Sequence, residues 1–214
     1  MLKASTIFLY QNFLKKAYFL KPLASDLEMI VSIMSECFKN GGLLLVCGNG
    51  GSAADADHIV GELVKSFRKN RPLDNEIKKA ICALEKPEEM LSKILQGGVP
   101  AINLTAHSAL VSALVNDVGE EAMFAQQVIA YGKPGDVFLG ITTSGRSKNI
   151  LAGGLTAKAI GLKTILLTGE IAAKGEFPYF DLVVGVPAGE TADIQDMHST
   201  VYHMLCAMIE EELW

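Results

Sequence analysis

The sequence predicts an α/β fold: a three-layer sandwich in which a five-stranded parallel sheet is flanked by helices, with further helices at the N-terminus. Three observations carry this. Short runs rich in Val, Ile and Leu recur at 43–47, 100–105, 136–141, 163–168 and 181–186, as expected of strands buried on both faces. Helix-like stretches at about 53–68, 108–114, 120–131 and 147–161 separate them, and one at about 191–213 closes the chain. Half of the 214 residues are hydrophobic and a fifth are charged, which suits one substantial core. Such alternation marks a parallel sheet whose ligands bind at the carboxyl ends of the strands.

The elements follow in order. Residues 1–40 form an N-terminal helical segment, with helices expected at 2–20 and 25–39. Lys21-Pro22 separates them, because proline disfavours helix in the residue before it, and Ser25 or Asp26 is the expected N-cap. The Phe, Tyr and Leu content of this segment exceeds what a lone surface helix needs, so it is expected to pack on the domain or on a partner subunit. Gln11, Asn12, Lys15 and Lys16 interrupt its apolar run, which argues against a signal sequence. No segment has about 18 uninterrupted apolar residues, so no transmembrane span is expected. Residues 41–214 form the main domain, with a helical insertion at about 74–98 where a short connection would suffice. Within it Pro87 divides Ile77–Leu84 from Glu88–Leu95. It reads equally as a surface excursion, a subunit contact or a wall of the ligand site.

Composition narrows the function. A net charge of −5 argues against a nucleic-acid binder, which needs a concentrated basic surface. Lys65, Arg68, Lys69 and Arg71 form only a modest group, read as cations satisfying the end of a helix. Cys37, Cys47, Cys82 and Cys206 have no C-x-x-C spacing and apolar neighbours, so reduced core residues in a cytoplasmic protein are expected.

Chemistry concentrates at two loops. In Cys47-Gly-Asn-Gly-Gly-Ser52 a strand runs into glycines and then a helix N-terminus, where free N–H groups favour anions. His58 and Glu62, four apart, share a face of the helix it launches. The second loop, Thr142-Thr-Ser-Gly-Arg-Ser147, offers four hydroxyls in six residues ahead of another helix, more than capping by Ser144 or Ser147 requires. It is the better phosphate site, leaving the glycine loop to bring backbone close to a sugar. Neither loop matches a Walker A or G-x-G-x-x-G pattern. Among the other histidines, His107 has no obvious partner and reads as structural. Gln195 and His203 are eight residues apart, about 12 Å of rise and some 80° of rotation, and reach a common point only by leaning together. Gln195 and His198, three apart, meet more easily. Spacing alone favours His203 as a core histidine over a metal ligand.

Taken together, Gly48-Asn-Gly-Gly-Ser52, His58-x-x-x-Glu62, Asn116-Asp117, Thr142-Thr-Ser-Gly-x-Ser147 and Ile194-Gln-x-x-His198 with His203 resemble the sugar isomerase (SIS) family. Within it they are similar to the phosphoheptose isomerases, from about Leu43 to the C-terminus and with two helices before it. The resemblance implies the SIS fold and the isomerisation of sedoheptulose 7-phosphate to D-glycero-D-manno-heptose 7-phosphate, a step of heptose biosynthesis. It implies that Asn49, Gly50, Gly51 and Ser52 line the sugar site, that Asn116 and Asp117 bind its hydroxyls, and that Thr142, Thr143, Ser144 and Ser147 hold the phosphate. His58, Glu62, Gln195 and His203 correspond to ligands of one zinc ion per subunit. Glu62 and His203 are the pair to which proton transfer is assigned, and Glu62 and Gln195 also face the substrate. A cytoplasmic homotetramer with active sites at subunit interfaces is implied as well, with no nucleic acid or membrane partner.

The residue types suit this chemistry. An ene-diol intermediate needs a base at carbon and a Lewis acid or proton donor at oxygen. Glu62 is assigned the carbon proton and His203 the oxygen protons, with the reverse order also open. Two further readings stand beside it. One is a non-catalytic SIS scaffold binding the replication initiator DnaA, whose known example lacks the equivalents of Glu62 and His203. The other is an isomerase or sensor for another ketose phosphate, kept open by the insertion and by Asp193, where relatives often carry arginine.

Overall fold

Five runs too apolar to face water on either side pair into one sheet. The computed structural model describes residues 2–84, 86 and 90–214. Its strands are β1 (Leu44–Gly48), β2 (Ala101–Asn103), β3 (Val137–Ile141), β4 (Lys163–Gly169) and β5 (Leu182–Val186). All pair in parallel in the order β2-β1-β3-β4-β5, with Asn103, Val46, Leu139, Ile165 and Leu182 in one row. Each lies within one to two residues of its expected start, and only β2 ends early.

The helices are α1 (Ala4–Lys16), α2 (Ala24–Lys39), α3 (Gly51–Val64), α4 (Asn75–Leu84), α5 (Leu91–Ile94), α6 (Ser108–Asp117), α7 (Met123–Tyr131), α8 (Lys148–Ala159), α9 (Glu170–Ala173) and α10 (Thr191–Leu213). Side chains alternate across the strands and so divide the core in two. Leu44, Val46, Leu139, Ile141, Ile165 and Leu167 pack with α1, α2, α3 and α10. Leu45, Cys47, Phe138 and Leu166 face α7 and α8 on the opposite side. Helices therefore cover both faces, as expected. None of the described helices is long and apolar enough to cross a membrane.

Four details differ from expectation. A 3-10 turn, Tyr18–Leu23, takes Pro22 inside it and runs directly into α2, so neither Ser25 nor Asp26 caps that helix. The helix after the glycine loop ends at Val64, where Lys65 turns extended, so Lys65, Arg68, Lys69 and Arg71 lie in the loop beyond it. Of the four free cysteines, Cys82 is exposed rather than in the core, because none of the residues of α4 is buried. His107 stands exposed at the N-cap position of α6 without a capping bond. The insertion contributes α4 and α5, which pack on each other, while Pro87 and Glu88 lie outside the described residues.

Candidate active site

With strand order 2-1-3-4-5, the chain leaves β1 and β3 in opposite directions, opening a crevice between their carboxyl ends. The two loops singled out by sequence emerge there, Gly48–Gly51 after β1 and Thr142–Ser147 after β3. Asn49 and Asn149, the second residue of α8, bridge the crevice with reciprocal amide hydrogen bonds, each 3.0 Å.

In the β3 loop Ser147 occupies the N-cap position of α8 but makes no capping bond. Its hydroxyl instead lies 3.0 Å from that of Thr142, while Ser144 Oγ accepts from Arg146 N at 3.3 Å. The hydroxyls are therefore gathered ahead of a helix N-terminus rather than spent on it, an arrangement suited to an anion. A cavity of about 210 Å³ opens beside Thr143, Ser144 and Arg146, bounded opposite by Gly169, Gly189 and Ile194. Beneath it His198 is fully buried, with Nε2 3.2 Å from the carbonyl of Thr168. Burial lowers its pKa to about 4, so it stays neutral, held on the Thr168 carbonyl away from the other histidines.

The titratable cluster lies between α3 and α10. Ser52, Ala56, Ile59 and Leu63 turn one stripe of α3 into the core. Asp55, His58 and Glu62, spaced three and four apart, share another. His58 Nε2 is 3.3 Å from Glu62 Oε1 and 3.2 Å from His203 Nε2. The second oxygen of Glu62 meets Lys65 Nζ at 3.1 Å. Phe67 stacks on the His203 ring, with centroids 6.0 Å apart. Tyr202, which sequence reasoning passed over, places its hydroxyl 3.2 Å from His58 Nδ1. Burial first, then the charge of Asp55, raises its pKa to about 12, so the phenol stays protonated. The phenol can donate to Nδ1, leaving Nε2–H for Glu62, or accept from Nδ1–H, the tautomer that would present an Nε2 lone pair to a metal ion. Asp55 was also missed. Its Oδ2 is buried without a partner among the described residues, and burial, opposed by His58, raises its pKa to about 6.

Two nitrogens and a carboxylate oxygen this close require a proton or a cation among them. Donors 2.0–2.2 Å from a tetrahedral zinc stand about 3.3 Å from one another, which the two distances at His58 match. Closure is incomplete, since among the described residues no group of three or more His, Cys, Asp or Glu side chains is arranged to hold a metal ion. Gln195 lies elsewhere. Its amide sits against Gly51, where an added Cβ would fall 2.4 Å from Nε2. α10 runs alongside α3, so Gln195 meets it at Gly51 and His203 meets it two turns later at His58. Asn116 and Asp117 end α6, exposed and hydrogen-bonded to each other at 2.7 Å. The structure thus joins His58, Glu62 and His203, gathers the two loops at one crevice, and sets Asn116 and Asp117 at the exposed end of α6, paired with each other.

Below Glu62 the fold is locked by Arg71, which is fully buried. It donates to Glu210 Oε1 at 2.7 Å and to the terminal carbonyls of α3, Leu63 at 2.6 Å and Glu62 at 2.8 Å. The helix-end role expected for the cationic group is therefore carried by this one member, from outside the helix.

The SIS domain profile matches residues 13–80 and 91–169, and the chain belongs to that family. The interruption at 81–90 falls inside the expected insertion. The chain is 38% identical to the phosphoheptose isomerase of Roseiflexus sp. over 198 residues, covering 91% of this chain and 87% of that one. The phosphoheptose isomerase structure from Francisella tularensis is similar at TM-score 0.74 and 31% identity, covering 97% and 93% of the two chains. That of GmhA from Neisseria gonorrhoeae is similar at TM-score 0.70 and 29% identity, covering 97% and 94%. Within the SIS proteins, then, the chain groups with the phosphoheptose isomerases.

Proposed function

We propose that the protein is an aldose–ketose isomerase that converts sedoheptulose 7-phosphate to D-glycero-D-manno-heptose 7-phosphate through an ene-diol. The observation that carries this is the meeting of His58, Glu62 and His203 between α3 and α10, two turns along α3 from the glycine loop of a crevice whose other border is a hydroxyl-rich helix N-terminus. Thr142, Thr143, Ser144 and Ser147 bind the phosphate and fix the sugar's length in the crevice. Asn49, Gly50, Gly51 and Ser52 bring backbone to the sugar, and Asn116 and Asp117 bind its hydroxyls. Glu62, only 13% exposed at its side chain, takes the proton from carbon, and His203 moves protons at oxygen. Tyr202 holds the ring of His58 in place.

His58, Glu62 and His203, joined by Gln195 once its amide swings away from Gly51, are the proposed ligands of one zinc ion per subunit. Such an ion, when bound, polarises the carbonyl and stabilises the developing oxyanion. The proposed assembly is a cytoplasmic homotetramer with sites at subunit interfaces. Exposed apolar residues of the 1–40 segment, Phe8 and Tyr18 among them, support its role in association. The proposed architecture is this segment followed by an SIS domain over 41–214.

The test is a metal-replete assay with sedoheptulose 7-phosphate and shorter ketose phosphates in parallel. Turnover of the heptulose is expected, and its loss in Glu62→Gln with the fold and phosphate binding intact. Full activity in that variant would remove Glu62 from the mechanism, and no product from any sugar would overturn the isomerase.

A further inference from the structure

The amide bridge between Asn49 and Asn149 has more hydrogen-bonding capacity than it uses. Its members lie 100 residues apart, one in the loop after β1 and one in the first turn of α8, on the two sides of the β1/β3 crevice. Asn49 is exposed and Asn149 half-buried, and a neutral hydrogen bond open to water adds only about 1 kcal/mol. The bridge therefore contributes placement rather than stability. Each amide brings two N–H donors and an oxygen with two lone pairs. Asn149 Oδ1 accepts from Asn49 Nδ2 and from the backbone N–H of Ile150 at 3.0 Å, so it is fully used. Among the described residues, one N–H of each amide and one lone pair of Asn49 have no partner. Two donors and an acceptor, held at fixed separation over the crevice, suit the hydroxyls of a sugar.

The neighbouring charges are Glu120, Glu121 and Lys148, which line one cavity with Asn149. Lys148, beside Asn149, is drawn away to Glu121 at 2.6 Å. The hydroxyls of Thr142–Ser147 already supply the phosphate site. We propose that Asn149 is a substrate-binding residue that grips the sugar chain of the phosphosugar, acting with Asn49 as a clasp across the crevice. This rests on the isomerase reading given above and adds to it a residue on the phosphate-side helix that selects for sugar as well as phosphate.

The experiment is calorimetric titration of wild type, Asn149→Ala and Asn149→Asp with sedoheptulose 7-phosphate and, separately, with inorganic phosphate, beside turnover and thermal melts. Asn149→Ala is expected to weaken the sugar phosphate about tenfold, as for one to two lost hydrogen bonds. Inorganic phosphate affinity and melting temperature should stay at wild-type values. Asn149→Asp loses both donors and sets a carboxylate against Asn49 Oδ1, so it should weaken the sugar phosphate further. Unchanged sugar-phosphate affinity in Asn149→Ala overturns the proposal. So does an equal loss for both ligands, which would mean a distorted phosphate loop. Wild type that binds the sugar phosphate without turning it over defeats the isomerase reading and leaves Asn149 standing. Wild type that binds neither ligand defeats both.

Discussion

Arg71 shows how one side chain outside the chemistry sets its geometry. Its guanidinium caps the last carbonyls of α3, lies 4.9 Å over the Trp214 ring and pairs with Glu210. Glu210 in turn accepts from the backbone N–H groups of Phe67, Arg68 and Lys69. Burial pushes its carboxyl up, but those donors and Arg71 prevail, and its pKa lies below the usual value. Breaking such a pair from one side leaves an uncompensated buried charge. Arg71→Met is therefore expected to cost about 3–5 kcal/mol, and the double variant Arg71→Met/Glu210→Leu less than the single. Urea denaturation measures both. A single variant as stable as wild type would mean that water reaches Glu210.

At the level of elements, α3 and α10 run side by side and read each other's spacing. From Gly51 to His58 is seven residues, about 10.5 Å of rise, and from Gln195 to His203 eight, about 12 Å. The contacts at both levels fall into step because the offsets nearly match. The last turn of α10 ties down the rest: Glu211 pairs with Lys69, while Glu212 accepts from Lys3 N, Thr6 Oγ1 and Lys39 Nζ. At Gly51 the Gln195 amide of α10 leaves no room for a side chain, an added Cβ falling 2.4 Å from its Nε2. In Gly51→Ala the new methyl displaces the flexible Gln195 amide, so turnover should fall by about tenfold to a hundredfold while the melting temperature moves little. Wild-type turnover in this variant would detach Gln195 from catalysis.

For the whole molecule, the buried His198 sets a pH dependence. Its folded pKa of about 4 lies below the unfolded value of 6.5, so the unfolded chain takes up the proton first as pH falls. Stability present above pH 6.5 is lost as pH drops toward 4, by about 3 kcal/mol. Asp55 acts with the opposite sign. Raised from 3.8 to about 6, it contributes stability below 3.8 that is lost as pH rises through 6, and so offsets part of the His198 slope between them. Denaturation at a series of pH values should show a flatter profile between 6.5 and 4 in His198→Gln and a steeper one in Asp55→Asn. Profiles parallel to wild type in both would show that these groups are solvated in the native state.

The strands were legible because burial on both faces leaves an apolar run with nothing to confuse it, and Leu44–Gly48 and Val137–Ile141 stand nearly where expected. The loops after them were legible for a similar local reason: four hydroxyls in six residues, or three glycines in four, serve no need of a helix or strand. His58 and Glu62 followed from one turn of helix. Tyr202, Asp55, Arg71 and Asn149 did not, since their meaning depends on partners far away in the chain. Arg71 reads as a surface cation until Glu210 is seen beside it, 139 residues on. The sequence by itself thus determined the fold class, the two loops and the pair on α3, all set by neighbours within a few residues. Only the tertiary structure decided that His203 reaches within 3.2 Å of His58, that Gln195 rests at Gly51 and that Asn149 faces Asn49. Those contacts depend on strand order and on the relative positions of α3, α8 and α10, and the packing of the whole core sets these rather than any local pattern.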